Sequence, residues 1–211
     1  MQNLRHNTAI IILAAGQSGR LRSPKQLLPW GNTTLLEHAI TQAKAINPDL
    51  LIVVLGGNSD VILKKIDFQG VETVYKENWQ NGMAGSIAVG VEFANENLPE
   101  LHSVMIMLCD QPQVDRNYLS TLYDAFLIEG TEVAATSYLG QPGVPAVFGS
   151  RYIPELLMLK GEKGAKQLLR KHLPDVQLIT PDQPLADIDT REDYEQLKSL
   201  PSYEKENNTS T

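Results

Sequence analysis

Short apolar runs alternate with amphipathic stretches along this chain, and the two periods are easy to separate. Residues 9–12, 51–55 and 103–108 are almost wholly apolar and of strand length, the pattern of strands covered on both faces. Residues 71–75, 133–137 and 176–180 read as further strands. Residues 144–148 read as one more, and Pro145 within it calls for a sheet edge or a bulge. Between these runs the apolar residues fall on a helical period. Leu35, Leu36, Ala39, Ile40 and Ala43 share one face of a helix beginning near Thr33 or Thr34. Further helices are expected at about 59–66, around 86–91 with Ser86 near the start, at 116–128, 150–158 and 163–171, and from about Glu192. The alternation predicts βαβ units: an α/β fold with three α/β/α layers and a mostly parallel, Rossmann-like sheet. No internal repeat or linker divides the chain. The reading is one domain over residues 1–200 and a polar tail over 201–211, expected to be disordered.

The composition narrows the class. With 42% hydrophobic and 20% charged residues, the chain falls among ordinary globular proteins. A formal net charge of −7 argues against a broad nucleic-acid or membrane-binding surface, so a bound anion needs a local cluster of cations. The single cysteine, Cys109, excludes an intramolecular disulfide and a cysteine-built zinc site. The first residues lack the long apolar region of a signal peptide, and no apolar run is long enough to span a bilayer. A cytoplasmic location is expected.

The candidate chemistry lies where the predicted strands end, which is where ligands bind in sheets of this kind. After the first strand comes Leu13-Ala14-Ala15-Gly16-Gln17-Ser18-Gly19-Arg20-Leu21-Arg22-Ser23-Pro24-Lys25. Small residues let backbone N–H groups approach phosphate oxygens, and Arg20 and Lys25 offset the charge. The Walker pattern is absent. The dinucleotide pattern is half matched, but its helix starts on the glycines, whereas Pro24 and Pro29 interrupt this stretch. The plainer alternative is a glycine turn that binds nothing.

Asp110 ends an apolar strand, where a carboxylate needs a partner. Either it holds Mg²⁺, which takes one or two carboxylates plus substrate phosphates, or it caps the next helix, a role Asp115 fits better. Asp187 and Asp189, two apart, point the same way in an extended segment. Alternatively Asp189 or Thr190 caps the last helix, with Asp193 completing a capping pattern. Gly82, Gly85 and Ser86 mark a second small-residue turn, suited to a nucleobase or phosphate. Gly161-Glu162-Lys163-Gly164-Ala165-Lys166 is a third, equally readable as a solvated helix entry. The histidines lack partners at metal-ligand spacing, and Cys109 reads as a small core residue.

Taken in order, these motifs resemble the molybdenum cofactor cytidylyltransferase (MocA-like) branch of the MobA-like NTP transferases. The resemblance runs from about residue 9 to 198. It is carried by Leu13-Ala14-Ala15-Gly16-x-Ser18-x-Arg20, Pro24-Lys25-Gln26-Leu27-Leu28, Asn81-Gly82-Met83-Ala84-Gly85-Ser86, Leu108-Cys109-Asp110-Gln111-Pro112, Gly143-x-Pro145, Gly161-Glu162-Lys163-Gly164-Ala165 and Asp187-Ile188-Asp189-Thr190. It implies a fold of the nucleotide-diphospho-sugar transferase type that binds an NTP and Mg²⁺. Nucleotide contacts are implied for Leu13, Ala14, Ala15, Gly16, Ser18, Gly19, Arg20, Lys25, Gly82, Gly85 and Ser86. Catalytic roles are implied for Lys25, Arg20 and Asp110, and metal binding for Asp110, Asp187 and Asp189. Ala14-Ala15-Gly16 matches the CTP-using branch, whereas guanylyltransferases tend to carry Ala-Gly-Gly there. The implied partners are CTP, molybdopterin, and a molybdoenzyme or its maturation factor. Transfer to a sugar phosphate or another phosphate monoester, or a non-catalytic carrier of a pterin cofactor, stays open. Two departures stand out: Leu21-Arg22 where the family often has Met-Gly, and Arg191 where it commonly has proline.

Overall fold

A computed structural model describes residues 7–16, 21, 23–77, 82–200 and 203. The strands are β1 (Thr8–Ala14), β2 (Pro29–Trp30), β3 (Thr33–Thr34), β4 (Leu50–Leu55), β5 (Glu72–Tyr75), β6 (Ser103–Leu108), β7 (Val133–Tyr138), β8 (Gln141–Gly149) and β9 (Val176–Ile179). The helices are α1 (Leu35–Lys44), α2 (Ser59–Leu63), α3 (Met83–Asn97), α4 (Arg116–Phe126), α5 (Ile153–Leu157), α6 (Ala165–Lys171) and α7 (Arg191–Lys198).

The main sheet has seven strands in the order β5-β4-β1-β6-β8-β7-β9. β1 pairs in parallel with both β4 and β6, and only β8 runs against its neighbours. The side chains of β1 alternate between two cores, as the pleat requires. Ile10, Ile12 and Ala14 pack with Leu36 and Ile40 of α1, Ile62 of α2 and Leu119 and Leu122 of α4. Ile11 and Leu13 pack on the other face with Ile87 and Val91 of α3, Leu156 of α5 and Leu168 of α6. Three layers result. α3 crosses the sheet closely at Gly90, where an added Cβ would sit 2.7 Å from Ile11 Cγ2.

Most expected elements occur, with local differences. The five apolar residues of the first helical face are the buried ones of α1, and Thr34 with Glu37 forms its capping box. α3 begins at Met83, so Gly85 and Ser86 lie within its first turn rather than in a loop before it. α2 ends at Leu63, short of the expected length. Pro145 lies on an interior strand, not at an edge. It escapes the ladder because the β7–β8 register jumps from Ala135↔Ala146 to Thr136↔Gly143 and skips Val144 and Pro145. The bulge half of the expectation accounts for a proline that has no N–H to donate. Tyr203, in the segment expected to be a disordered tail, packs edge-on against Trp30 with ring centroids 4.8 Å apart. The rest of 201–211 lies outside the described residues.

Candidate active site

A cleft of about 500 Å³ opens beyond the carboxyl ends of β1 and β6. β1 contributes Leu13, followed by Ala15 and Gly16. β6 contributes Leu108, followed by Cys109 and Asp110. Gly82, Met83 and Ser86 come from the start of α3, with Glu162 beside them. Lys25 and Gln26, and Asp187 and Asp189, complete the wall. The segment carrying Asp187 and Asp189 reaches the cleft for two reasons. Ile188 is fully buried in a small core with Leu28, Trp30 and Tyr194, and its amide donates to the Asp110 carbonyl at 3.0 Å. With Ile188 turned inward, its two neighbours turn toward the cleft, as the two-residue spacing implied. Thr190 and Asp193 form the capping box of α7, so capping and site roles coexist in one motif. Asp115 caps α4 by accepting from the Tyr118 amide at 2.8 Å, which leaves Asp110 free of that duty.

Lys25 is the centre of the charge arrangement. Its Nζ donates to Asp110 Oδ2, to Asp189 Oδ1 at 3.1 Å and to the Ile188 carbonyl at 3.4 Å. Burial alone would lower the Lys25 pKa, but the Asp110 carboxylate and its hydrogen bond outweigh it, so the value ends above the ordinary one and the amine stays cationic. Burial pushes the Asp110 carboxyl up, and Lys25 pulls it back. The adjacent Cys109 thiol is pushed up by its complete burial and is inert as a nucleophile.

The side-chain atoms that are buried without a hydrogen-bond partner among the described residues are all acceptors: Gln26 Oε1, Asp110 Oδ1 and Gln111 Oε1. Two belong to cleft residues and the third adjoins Asp110 in sequence. Buried acceptors of this kind call for a donor or cation from a water, an ion or a ligand. The oxygen donors suit Mg²⁺, which keeps waters and takes few protein ligands. Among the described residues no group of three or more His, Cys, Asp or Glu side chains converges at metal-holding distance. The donor set therefore fits an ion held by one or two carboxylates together with substrate oxygens.

Of the residues expected at the site, Leu13, Ala15, Gly16, Lys25, Gly82, Ser86, Asp110, Asp187 and Asp189 line this one cleft. Ala14 points into the core instead, and its carbonyl accepts from Gln26 Nε2 at 2.6 Å. Gly85 faces Lys76, whose Nζ would lie 2.8 Å from an added Cβ. Ser18, Gly19 and Arg20 lie outside the described residues. Gln26, Gln111, Met83 and Glu162 were not singled out from sequence. The glutamines lay within motifs already quoted, but an uncharged amide gives no signal of its own.

Lys25, Asp110, Asp187 and Asp189 thus line one cleft beyond the carboxyl ends of a mostly parallel sheet, the end at which α/β folds of this class bind their ligands. The MobA-like NTP transferase domain matches residues 10–176, and the chain belongs to that nucleotidyltransferase family. It is 28% identical over 197 residues to nicotine blue oxidoreductase of Paenarthrobacter nicotinovorans, covering 90% of this chain and 93% of that protein. It is 32% identical to the homologue of Mycobacterium tuberculosis Rv0371c from Mycobacterium sp. strain JC1, with a TM-score of 0.81 over 96% of this chain and 99% of that one. M. tuberculosis Rv0371c in complex with manganese is 29% identical, with a TM-score of 0.76 over 92% and 99% of the two chains. No helix among the described residues is long and apolar enough to cross a membrane.

Proposed function

We propose that this chain is a Mg²⁺-dependent CTP:molybdopterin cytidylyltransferase, forming molybdopterin cytosine dinucleotide and pyrophosphate. The observation that carries the reading is the cationic Lys25 embedded between Asp110 and Asp189 in a cleft of nucleotide size, with Asp110 Oδ1 lacking a partner. Ala15 on the cleft wall favours a pyrimidine, since its methyl takes room that glycine would leave to guanine. The manganese complex of a relative at 29% identity supports a divalent ion.

The terminal phosphate of the acceptor attacks the α-phosphorus of CTP. A new P–O bond forms, the bond to the bridging oxygen breaks, and pyrophosphate leaves with that electron pair. A phosphate monoester has its second pKa near 6, so it is largely dianionic at neutral pH and needs no general base. The residues act by positioning and charge. Lys25 stays protonated and stabilises charge on the departing pyrophosphate. Its longest bond, to the Ile188 carbonyl at 3.4 Å, is the one most readily exchanged for a phosphate oxygen. Ser86, buried and facing the cleft, offers a hydroxyl to the nucleotide. Asp110, with Asp187 or Asp189, would hold Mg²⁺, which when bound neutralises the phosphates and keeps them aligned.

The similarity to nicotine blue oxidoreductase over 90% of the chain favours one other reading, in which the same cleft carries out an oxidoreduction. Pyrophosphate release separates the two. Each of the four NTPs is incubated with Mg²⁺ and molybdopterin, a sugar phosphate or another phosphate monoester. The proposal expects release with CTP and molybdopterin. Oxidation of a reduced nicotinamide dinucleotide without pyrophosphate would replace it with the redox reading.

A further inference from the structure

Gln111 follows Asp110 and is buried. Its carboxamide spends both N–H groups. One goes to Asp187 Oδ1 at 2.7 Å, the other to the Tyr138 hydroxyl at 2.7 Å. The Tyr138 hydroxyl in turn donates to the Val144 carbonyl at 2.6 Å. Every donor in this chain has a fixed direction. The Val144 carbonyl can only accept, so the tyrosine proton is committed to it. Tyr138 must then accept from Gln111, which sets the amide nitrogen, rather than Oε1, toward both Tyr138 and Asp187. Burial pushes the Tyr138 phenol above its ordinary pKa, so that proton stays in place at neutral pH. The chain joins three separate parts of the fold: the end of β6, the β7–β8 hairpin, and the segment carrying Asp187.

The consequence falls on Asp187. With Oδ1 held by Gln111, its other oxygen has no hydrogen bond among the described residues, and the residue borders the cleft. A carboxylate on an irregular segment would otherwise swing among rotamers. We propose that Gln111 is a positioning residue: it orients the Asp187 carboxylate toward the divalent ion, and Tyr138 serves to anchor Gln111. Gln111 acts through Asp187 and does not itself touch the nucleotide. This inference rests on the metal-dependent transfer proposed above.

The test reads metal binding rather than turnover. Mn²⁺ is titrated by electron paramagnetic resonance into the wild-type chain saturated with a non-hydrolysable CTP analogue. The same is done for Gln111→Met, Asp187→Asn, the double variant and Tyr138→Phe, each first shown by circular dichroism to be folded. Gln111→Met keeps the volume and loses both donors. Removing an oriented partner of a metal-binding carboxylate costs about 10–100-fold in metal affinity, so Gln111→Met is expected to weaken Mn²⁺ binding at least tenfold. In the Asp187→Asn background the same change is expected to cost less than twofold, because its route to the metal is already gone. Tyr138→Phe, which leaves the Gln111–Asp187 bond in place, is expected to cost less than Gln111→Met. An undiminished affinity in Gln111→Met overturns the inference, as does an equal loss in both backgrounds. Both results leave the transfer reaction standing. Failure of the wild-type chain to bind Mn²⁺ at all overturns the transfer reading and this inference with it.

Discussion

Lys25→Met removes the cation from the most buried charge pair of the cleft while keeping most of the side chain's volume. The Lys25 and Asp110 side chains are 12% and 11% exposed, so solvent screens them little. Removing one partner of a buried pair costs about 3–5 kcal/mol, because the other charge is left uncompensated. At about 2–4 °C per kcal/mol for a chain of this size, the melting temperature should fall on the order of 10 °C. The loss depends on pH. Burial already pushes the Asp110 carboxyl above its ordinary value, and without Lys25 it rises further. A carboxyl that holds its proton more tightly folded than unfolded loses stability as pH climbs from the unfolded value, about 3.9, through the folded one. The deficit of Lys25→Met against wild type should therefore be larger at neutral pH than in mild acid. Adding Asp110→Asn makes the Lys25–Asp110 pair neutral and should restore most of the stability that pair contributed, but neither variant should turn over at more than about a hundredth of the wild-type rate. Urea denaturation of the wild-type chain, both single variants and the double gives the coupling energy directly. Additive losses, with a coupling below about 0.5 kcal/mol, would show that the two side chains do not act as a pair and would refute the reasoning.

Other outcomes follow from single contacts. Gly90→Ala improves helix propensity by about 1 kcal/mol, yet the added methyl meets Ile11 Cγ2 at 2.7 Å and Val54 Cγ2 at 3.0 Å. Overpacking costs about 1–3 kcal/mol, so the melting temperature is expected to fall, and a rise would show that α3 does not seat closely on β1 and β4. Cys109 is 3% exposed and its thiol is pushed up by burial. Iodoacetamide should leave it unmodified in the native protein and alkylate it in urea, as mass spectrometry would show; rapid native labelling would contradict the burial of this side chain at the foot of the cleft. Ala15→Gly removes the methyl on the cleft wall and should raise the use of GTP relative to CTP in competition assays. An unchanged ratio would move base selection away from this residue.

The sequence showed the layers more readily than the details of the cleft, for physical reasons. Buried parallel strands are continuous apolar runs, so β1, β4 and β6 stood out, and with them the strand ends where ligands bind. A carboxylate at the end of an apolar strand is conspicuous, and so is a cation behind a small-residue loop, so Asp110 and Lys25 were found, and they lie together. Asp187 and Asp189 were found as a pair by spacing, but only the burial of Ile188 explains why both reach the cleft. The start of α3 was placed late because Gly82 and Gly85 read as a turn, whereas only Gly82, at φ 87°, needs a glycine's conformation. An added Cβ there would also lie 2.6 Å from the Gly161 carbonyl, a long-range contact with no trace in local sequence. Local sequence allowed an edge or a bulge for Pro145 without choosing between them, since the register shift that makes it a bulge belongs to two strands at once. Gln26 and Gln111 were legible only as motif letters. Their role lies in where their hydrogen bonds go, from Gln26 to the Ala14 and Gly16 carbonyls and from Gln111 to Asp187 and Tyr138.

The most direct measurement follows the cytidylyl group itself. CTP labelled at the α-phosphate is incubated with Mg²⁺, molybdopterin and excess enzyme in a single turnover, and the products are separated and identified by mass. The account predicts that the label moves into a molybdopterin cytosine dinucleotide with one pyrophosphate formed per transfer, and that Lys25→Met and Asp110→Asn abolish the movement. Label remaining in CTP under conditions where the folded wild-type enzyme binds the nucleotide would contradict it.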